Sequence, residues 1–215
     1  VYKRQELRDW RALWRLISDG SEDDVANVNN RLEVAARLNL RGGASEGPFW
    51  GCPPTRRIAG LLPTKSSPFT PQVSEFRHCE HWLRGVGLRP MSCWQLMGVG
   101  SVGSQTLTLL PILDRLVDAH RGVDIWPFTT GWSAPSPEPG EVVIAETWPT
   151  AFDVVDRIHW IRDASQVHDV AMELRRADRA GELADWLAPP AAVAGDARAI
   201  ETVVLAEGWA VIPPR

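Results

Sequence analysis

Glu146 ends the hydrophobic run Val142-Val143-Ile144-Ala145, and an open α/β sheet places its ligand crevice at the carboxyl ends of its strands. A carboxylate at the end of a buried strand is costly unless a partner or a metal ion compensates its charge. After it, Thr147-Trp148-Pro149 forces the chain out of the strand. Asp163 precedes a long helical stretch and has two readings: the second acid of a metal site, or a helix N-cap. Two such carboxylates facing one cleft repel each other, and a divalent cation relieves the conflict. Asp169 lies six residues beyond Asp163, roughly 600° around a helix, so it faces another way and is the poorer partner.

Gly98-Val99-Gly100-Ser101-Val102-Gly103 matches G-x-G-x-x-G and opens a helix. Backbone N–H groups at such a start can hold an anion. Three readings stay open: a dinucleotide site, a simpler anion contact through Gly98, Gly100, Ser101 and Gly103, or a tight turn that lets the helix pack closely. Asp124 follows Gly103 at the spacing of a ribose-binding acid, but it starts its strand, whereas that acid belongs at a strand's end. His78-Cys79-Glu80-His81 crowds three kinds of metal ligand into four residues. Structural zinc needs ligand pairs from two separated segments, and there is no second Cys/His pair, so a solvated helix face accounts for it better. There is no G-x-S-x-G nucleophile elbow.

The elements that must position these groups follow from periodicity. Leu7, Trp10, Leu13, Trp14 and Ile17 recur at three- and four-residue steps and predict a helix over 6–18, stopped by Asp19-Gly20. A second helix is expected from Val28 to Leu40, with Glu33 and Arg37 placed to pair at i,i+4 and Gly42-Gly43 closing it. Further helices are predicted over Glu75–Arg84, Ser101–His120, Ala164–Ala188 and Ala197–Leu205. Strands are predicted at Val123–Phe128 and Glu141–Trp148, the second a nearly continuous apolar run of the buried kind. Short extended stretches are expected near Ser92–Leu96 and Gly208–Pro213. Between Gly42 and Gln72 lie eleven Gly and Pro residues in thirty-one, a density that excludes helix and strand. Phe49 and Trp50 in that loop either staple it to the core or line a substrate-facing lid.

The 215 residues suffice for one domain with a sizeable core, and 23 basic against 27 acidic side chains give a net charge of -4. A mildly acidic chain has no broad basic field, so any contact with nucleic acid is local. No apolar stretch approaches the roughly 18 residues of a membrane span, and no signal-peptide pattern opens the chain. Cys52, Cys79 and Cys93 form an odd, scattered set that argues against a disulfide framework and for a cytoplasmic, reducing setting. Val1-Tyr2-Lys3-Arg4-Gln5, without an initiator Met, reads as translated sequencing adapter rather than native chain, leaving a single domain over 6–215. At most four strands among about six helices is too small a sheet for so many apolar helix faces. The expectation is therefore an α/β domain with a small mixed sheet flanked by helices, its N-terminal strands missing and an apolar sheet edge left open.

Val143-Ile144-Ala145-Glu146-Thr147-Trp148-Pro149, the helix beginning near Asp163 and the closing Glu207-Gly208-Trp209-Ala210-Val211-Ile212-Pro213 resemble the RNase H-like predicted-nuclease family known as domain of unknown function 429. Asn29–Asn39, Gly47–Pro54 and Trp94–Gln105 resemble one bacterial subgroup of it, and the likeness spans most of residues 28 to 213. The resemblance implies a partial RNase H-like fold and clustered carboxylates holding Mg²⁺ or Mn²⁺ for phosphodiester hydrolysis. It maps Glu146 onto the strand-end acid and Asp163 onto the acid near the last helix. It places the first acid on a strand before this chain begins, so the fragment alone is expected to be inactive. The alternative it leaves is a non-catalytic scaffold that binds a nucleotide, another anion or a protein partner.

Overall fold

The computed structural model describes residues 9–42, 47–70, 73–152 and 160–214. Residues 1–8, 43–46, 71–72, 153–159 and 215 lie outside the described residues; with them go the adapter-like start, the first turn of the predicted 6–18 helix, Gly43 and parts of the 42–72 loop. Contacts group the chain into two compact units, Val1–Arg121 and Gly122–Arg215, where sequence suggested one domain over 6–215.

The first unit is helical. Asp9 caps α1 (Trp10–Gly20), its side chain accepting the Arg11 N–H at 3.0 Å. The apolar stripe buries Trp14 and Ile17, and Trp10 meets Trp14 edge-on at 4.9 Å one turn away. Helix α2 (Arg31–Arg41) buries Leu32, Val34, Ala35, Ala36, Leu38 and Asn39. The expected Glu33–Arg37 pair does not form. Glu33 instead pairs with Arg56, and Arg37 donates to the Gly20 carbonyl, because loop and helix ends bring nearer partners to each. Helix α3 spans His78–Gly85 and α4 spans Val102–Ala119. Arg11 reaches from α1 to Asp114 of α4 at 3.1 Å, both side chains largely buried, and also bonds Asp118.

The Gly/Pro-rich loop belongs to this core rather than standing over it. Phe49, Cys52 and Leu61 are buried in one cluster with α1, α2 and α4, and Phe49 packs edge-on against Trp94 at 5.0 Å. Asn39, fully buried, accepts the Phe49 N–H at 2.9 Å and donates to the carbonyls of Phe49 and Gly60 at 2.9 and 2.8 Å. One polar side chain thus satisfies three loop groups that water cannot reach. The Ser92–Leu96 stretch forms a parallel bridge between Gln95 and Trp50 instead of a strand.

The second unit holds four short strands: β1 (Val123–Ile125), β2 (Val142–Ile144), β3 (Glu146–Thr147) and β4 (Ala210–Val211). β1 pairs with β2 and β3 with β4, both parallel, in registers Val123↔Val142 and Glu146↔Ala210. The run 142–147 thus pairs with β1 along its first half and with β4 along its second. The expected mixed sheet is therefore two small parallel sheets, within an α/β architecture. β1 ends three residues early because Pro127 has no N–H and Thr129 turns back to donate its N–H to the Ile125 carbonyl at 2.9 Å. The valine-rich β2 is less covered than its sequence suggests: Val142 is 53% exposed and Val143 to Ala145 are half-buried. Strands this short have too few neighbours to bury both faces.

Nor is the edge of β1 open at Ile125. Thr129 Oγ1 accepts the Ile125 N–H at 2.9 Å and donates to Asp124 Oδ1 at 2.7 Å, so one threonine takes both backbone groups of Ile125. β4 is buried, with Trp209 to Ile212 all 5% exposed or less. Helix α5 (Arg162–Ala180) stops at Gly181, whose left-handed φ of 73° splits the predicted 164–188 helix and leaves α6 (Leu183–Trp186) separate. Helices α7 (Ala191–Ala194) and α8 (Ala197–Thr202) follow. Asp196 caps α8 through the N–H groups of Arg198 and Ala199, each at 3.0 Å, and a π-helical turn over Val203–Glu207 leads to β4. Trp126, Trp132, Phe152, Trp186 and Trp209 form the aromatic core, with Trp132 and Trp209 rings 4.6 Å apart.

Candidate functional site

Glu146 opens β3 directly after β2, on the carboxyl side of the Val142–Ile144 stretch, and is exposed. Asp163 is exposed in the first turn of α5. It is not the N-cap, which is Ile161; from the second helical position its charge faces the positive end of the helix dipole. Asp169 differs from both. Its side chain is only 14% exposed, Oδ1 lies 3.3 Å from His168 Nδ1, and Oδ2 is buried with no hydrogen-bond partner. On the same helix Arg176 is pushed above its ordinary range by hydrogen bonds to Glu173 and then Glu182.

The fit of this chain to a divalent cation rests on that oxygen. A buried carboxylate oxygen without a donor is a position that a cation, as much as a hydrogen bond, would satisfy. Three or more His, Cys, Asp or Glu side chains do not gather into a metal-holding group among the described residues.

The glycine turn has a different economy. Ser101 is the N-cap of α4, as expected for a helix start, but the first amides of the helix are engaged within the turn. Val102 donates to the Gly100 carbonyl at 2.8 Å, Gly103 to Gln95 O at 2.9 Å and Ser104 to Ser101 O at 3.1 Å. Gln95 Nε2 in turn donates to the carbonyls of Met97 and Val99, each at 3.0 Å. Gly98 and Gly100 have φ of 93° and 75°, which side chains rarely adopt. A Cβ on Gly103 would stand 2.7 Å from Cys93 O, so that glycine is there for close packing of α4 on the preceding segment. Gly103 is sealed and Gly98 is exposed, leaving Gly98 to Ser101 as the part of the motif that meets solvent.

His78-Cys79-Glu80-His81 is built into the start of α3. Glu80, 5% exposed, accepts the Arg77 N–H at 2.6 Å and Arg77 Nε at 2.7 Å, and Cys79 is 1% exposed. His81 Nε2 lies 3.1 Å from Ser74 Oγ, which also accepts the Phe76 N–H. Asn39, Gln95 and Thr129 carry much of this local order, and none of the three stands out in the sequence. A lone amide or hydroxyl has no spacing signature to betray its partners.

No family model matches the chain, and no curated protein or solved structure matches it either.

Proposed function

We propose that the chain is part of an RNase H-like, metal-dependent phosphodiester hydrolase of a reducing compartment, with Glu146 as the acid at the strand end and α5 supplying a second carboxylate, Asp163 by resemblance. The observation that carries this reading is the parallel arrangement around Glu146. The run 142–147 has a parallel partner along each half, and Glu146 follows the carboxyl end of β2, which supports this reading because open parallel sheets bind ligands beyond the carboxyl ends of their strands. Bound Mg²⁺ or Mn²⁺ would activate water and stabilise the leaving oxygen. The chain's own acids would fix the ion and orient the phosphodiester.

Hydrolysis of bis-p-nitrophenyl phosphate with Mn²⁺ by the full-length protein, compared with its Glu146→Gln variant, tests the proposal. Activity that needs the metal and drops at least a hundredfold in the variant is the expected result; metal-independent turnover, or equal turnover in both, rejects it.

A second reading, a non-catalytic scaffold, draws on the glycine turn. Val99 is 94% exposed at the tip of a turn whose carbonyls Gln95 clamps, a rigid apolar contact of the kind a protein partner recognises. Under this reading Val99→Asp abolishes capture of the partner, whereas hydrolysis is untouched.

A further inference from the structure

We propose that Ser74 and His81 form a nucleophile–base pair that hydrolyses small carboxylic esters, an activity separate from the metal-dependent reading above. Ser74 Oγ and His81 Nε2 lie 3.1 Å apart, within the reach a base needs to take a hydroxyl proton. In the tautomer that carries its proton on Nδ1, Nε2 accepts the Ser74 O–H. The bond that withdraws His81 from a metal-ligand role is thus of the kind that performs acyl transfer. Both side chains are exposed, so a substrate reaches them without movement of the chain.

The backbone at Ser74 is pinned at two successive carbonyls. Trp94 Nε1 donates to the Ser74 carbonyl at 2.9 Å, and the hydroxyl of Ser92, which is 4% exposed, donates to the Glu75 carbonyl at 3.1 Å. Glu75 is also paired with Lys65 at 2.9 Å. His81 belongs to α3, and its ring stands edge-on to Phe76 at 5.8 Å. Anchoring of this kind holds reacting groups in one geometry. The Phe76 N–H donates to Ser74 Oγ at 3.3 Å and places partial positive charge beside the oxygen that gains negative charge as its proton leaves.

In the first step Ser74 Oγ attacks the ester carbonyl carbon while its proton passes to His81 Nε2. The carbon–oxygen bond to the leaving alkoxide then breaks, the imidazolium returns the proton to that oxygen, and the acyl group stays on Ser74. Water attacks the acyl-serine with the same base, and the proton it gives up returns to Oγ as the carboxylic acid departs.

An alkyl fluorophosphonate, which bonds a nucleophilic serine oxygen as fluoride departs, tests the pair in the whole chain with EDTA present, so that metal-dependent turnover is silent. Peptide mapping should find Ser74 modified about tenfold faster or more than Ser133 and Ser136, exposed serines that bond no histidine. Labelling of Ser74 should fall about a hundredfold or more in His81→Gln, whose amide can still accept the Ser74 hydroxyl but cannot take up its proton, while the melting temperature stays unchanged. The same pattern is expected for the acetyl group of p-nitrophenyl acetate, trapped on Ser74 by an acid quench. Modification of Ser74 no faster than that of Ser133 and Ser136, or equally fast in His81→Gln, overturns the proposal and leaves the bond a structural one. Should His81→Gln fold poorly, Ser74→Cys keeps a nucleophile beside the base. Iodoacetamide should alkylate it about tenfold faster or more than Ser136→Cys, and equal rates also overturn the proposal.

Discussion

The two units spend their polar residues differently. In residues 1–121 the motifs that most suggest chemistry, the glycine turn and His78–His81, are consumed by internal bonds: Gly103 to Gln95, Glu80 to Arg77, His81 to Ser74. In residues 122–215 the acids Glu146 and Asp163 stand exposed, and Asp169 keeps a buried oxygen without a hydrogen bond. Charge follows the same division. The first stretch carries 16 Lys and Arg against 12 Asp and Glu, the second 7 against 15. An excess of carboxylates repels phosphates unless cations intervene, so under the proposed reading a cation would have to offset the charge of the acidic unit before a phosphodiester could approach it. A motif's resemblance to a site is thus a poor guide where its donors are already engaged, and an unremarkable acid is a better one where its oxygens are not.

The sharpest way to break this contrast is at Asn39. Replacing it with Ala strips a donor or acceptor from three buried loop groups, and each group left unpaired costs about 1–3 kcal/mol. The expected loss is about 3 kcal/mol or more, read as a lower denaturant midpoint, with faster amide exchange at Phe49. If the loop were instead a lid held by weak contacts, the change would stay below about 1 kcal/mol.

Gly103→Ala comes next. Its new Cβ would meet Cys93 O at 2.7 Å and Gln95 O at 2.9 Å, backbone atoms that cannot rotate aside. Overpacking of this kind costs about 2 kcal/mol, and thermal unfolding should show it with or without added phosphate. Stabilisation by millimolar phosphate that the substitution removes would mean that the turn binds an anion after all.

In the acidic unit, Thr129→Val removes the acceptor of the Ile125 N–H and the donor to Asp124 while preserving shape. A loss of about 1 kcal/mol is expected, together with faster exchange at Ile125. A more telling readout is association: with the β1 edge unlatched, the variant should self-associate at concentrations where the parent does not, measured by sedimentation.

What the sequence made legible were the elements with strong periodicity. Trp10–Ile17 and the Leu-rich stretch around Leu107 appear within a few residues of their predicted limits, and the helix near Asp163 does so at its start. The α/β class was readable as well, from Val142–Ile144 alternating with helical stretches. Three things were not readable. Parallel pairing joins segments up to 64 residues apart, as Glu146 and Ala210, and no local pattern encodes it. The break at Gly181 was in the sequence, but a glycine within a helical pattern is ambiguous until its φ is known. The covering of Asp169 Oδ2 depends on what packs against α5, whereas spacing alone could say only that the residue faces away from Asp163.

The smallest effect tests Asp163 alone. From the first turn of α5 its charge interacts with unsatisfied N–H groups of the helix start, a contribution of about 0.5 kcal/mol at low ionic strength for an exposed acid. Asp163→Asn should therefore lower stability by about that amount in dilute buffer. The loss should fade toward zero in 1 M NaCl, where the screening length falls to about 3 Å. A side chain acting as the N-cap would behave otherwise, since Asn caps about as well as Asp and salt would change little. A role in holding a metal predicts a third pattern, in which the metal-free difference is small at every salt concentration and the variant parts from its parent only when Mn²⁺ is present. Melting curves of both proteins at low and high salt, each with and without Mn²⁺, place Asp163 in one of these roles. The dipole role is the one that its exposure in the first turn of the helix supports.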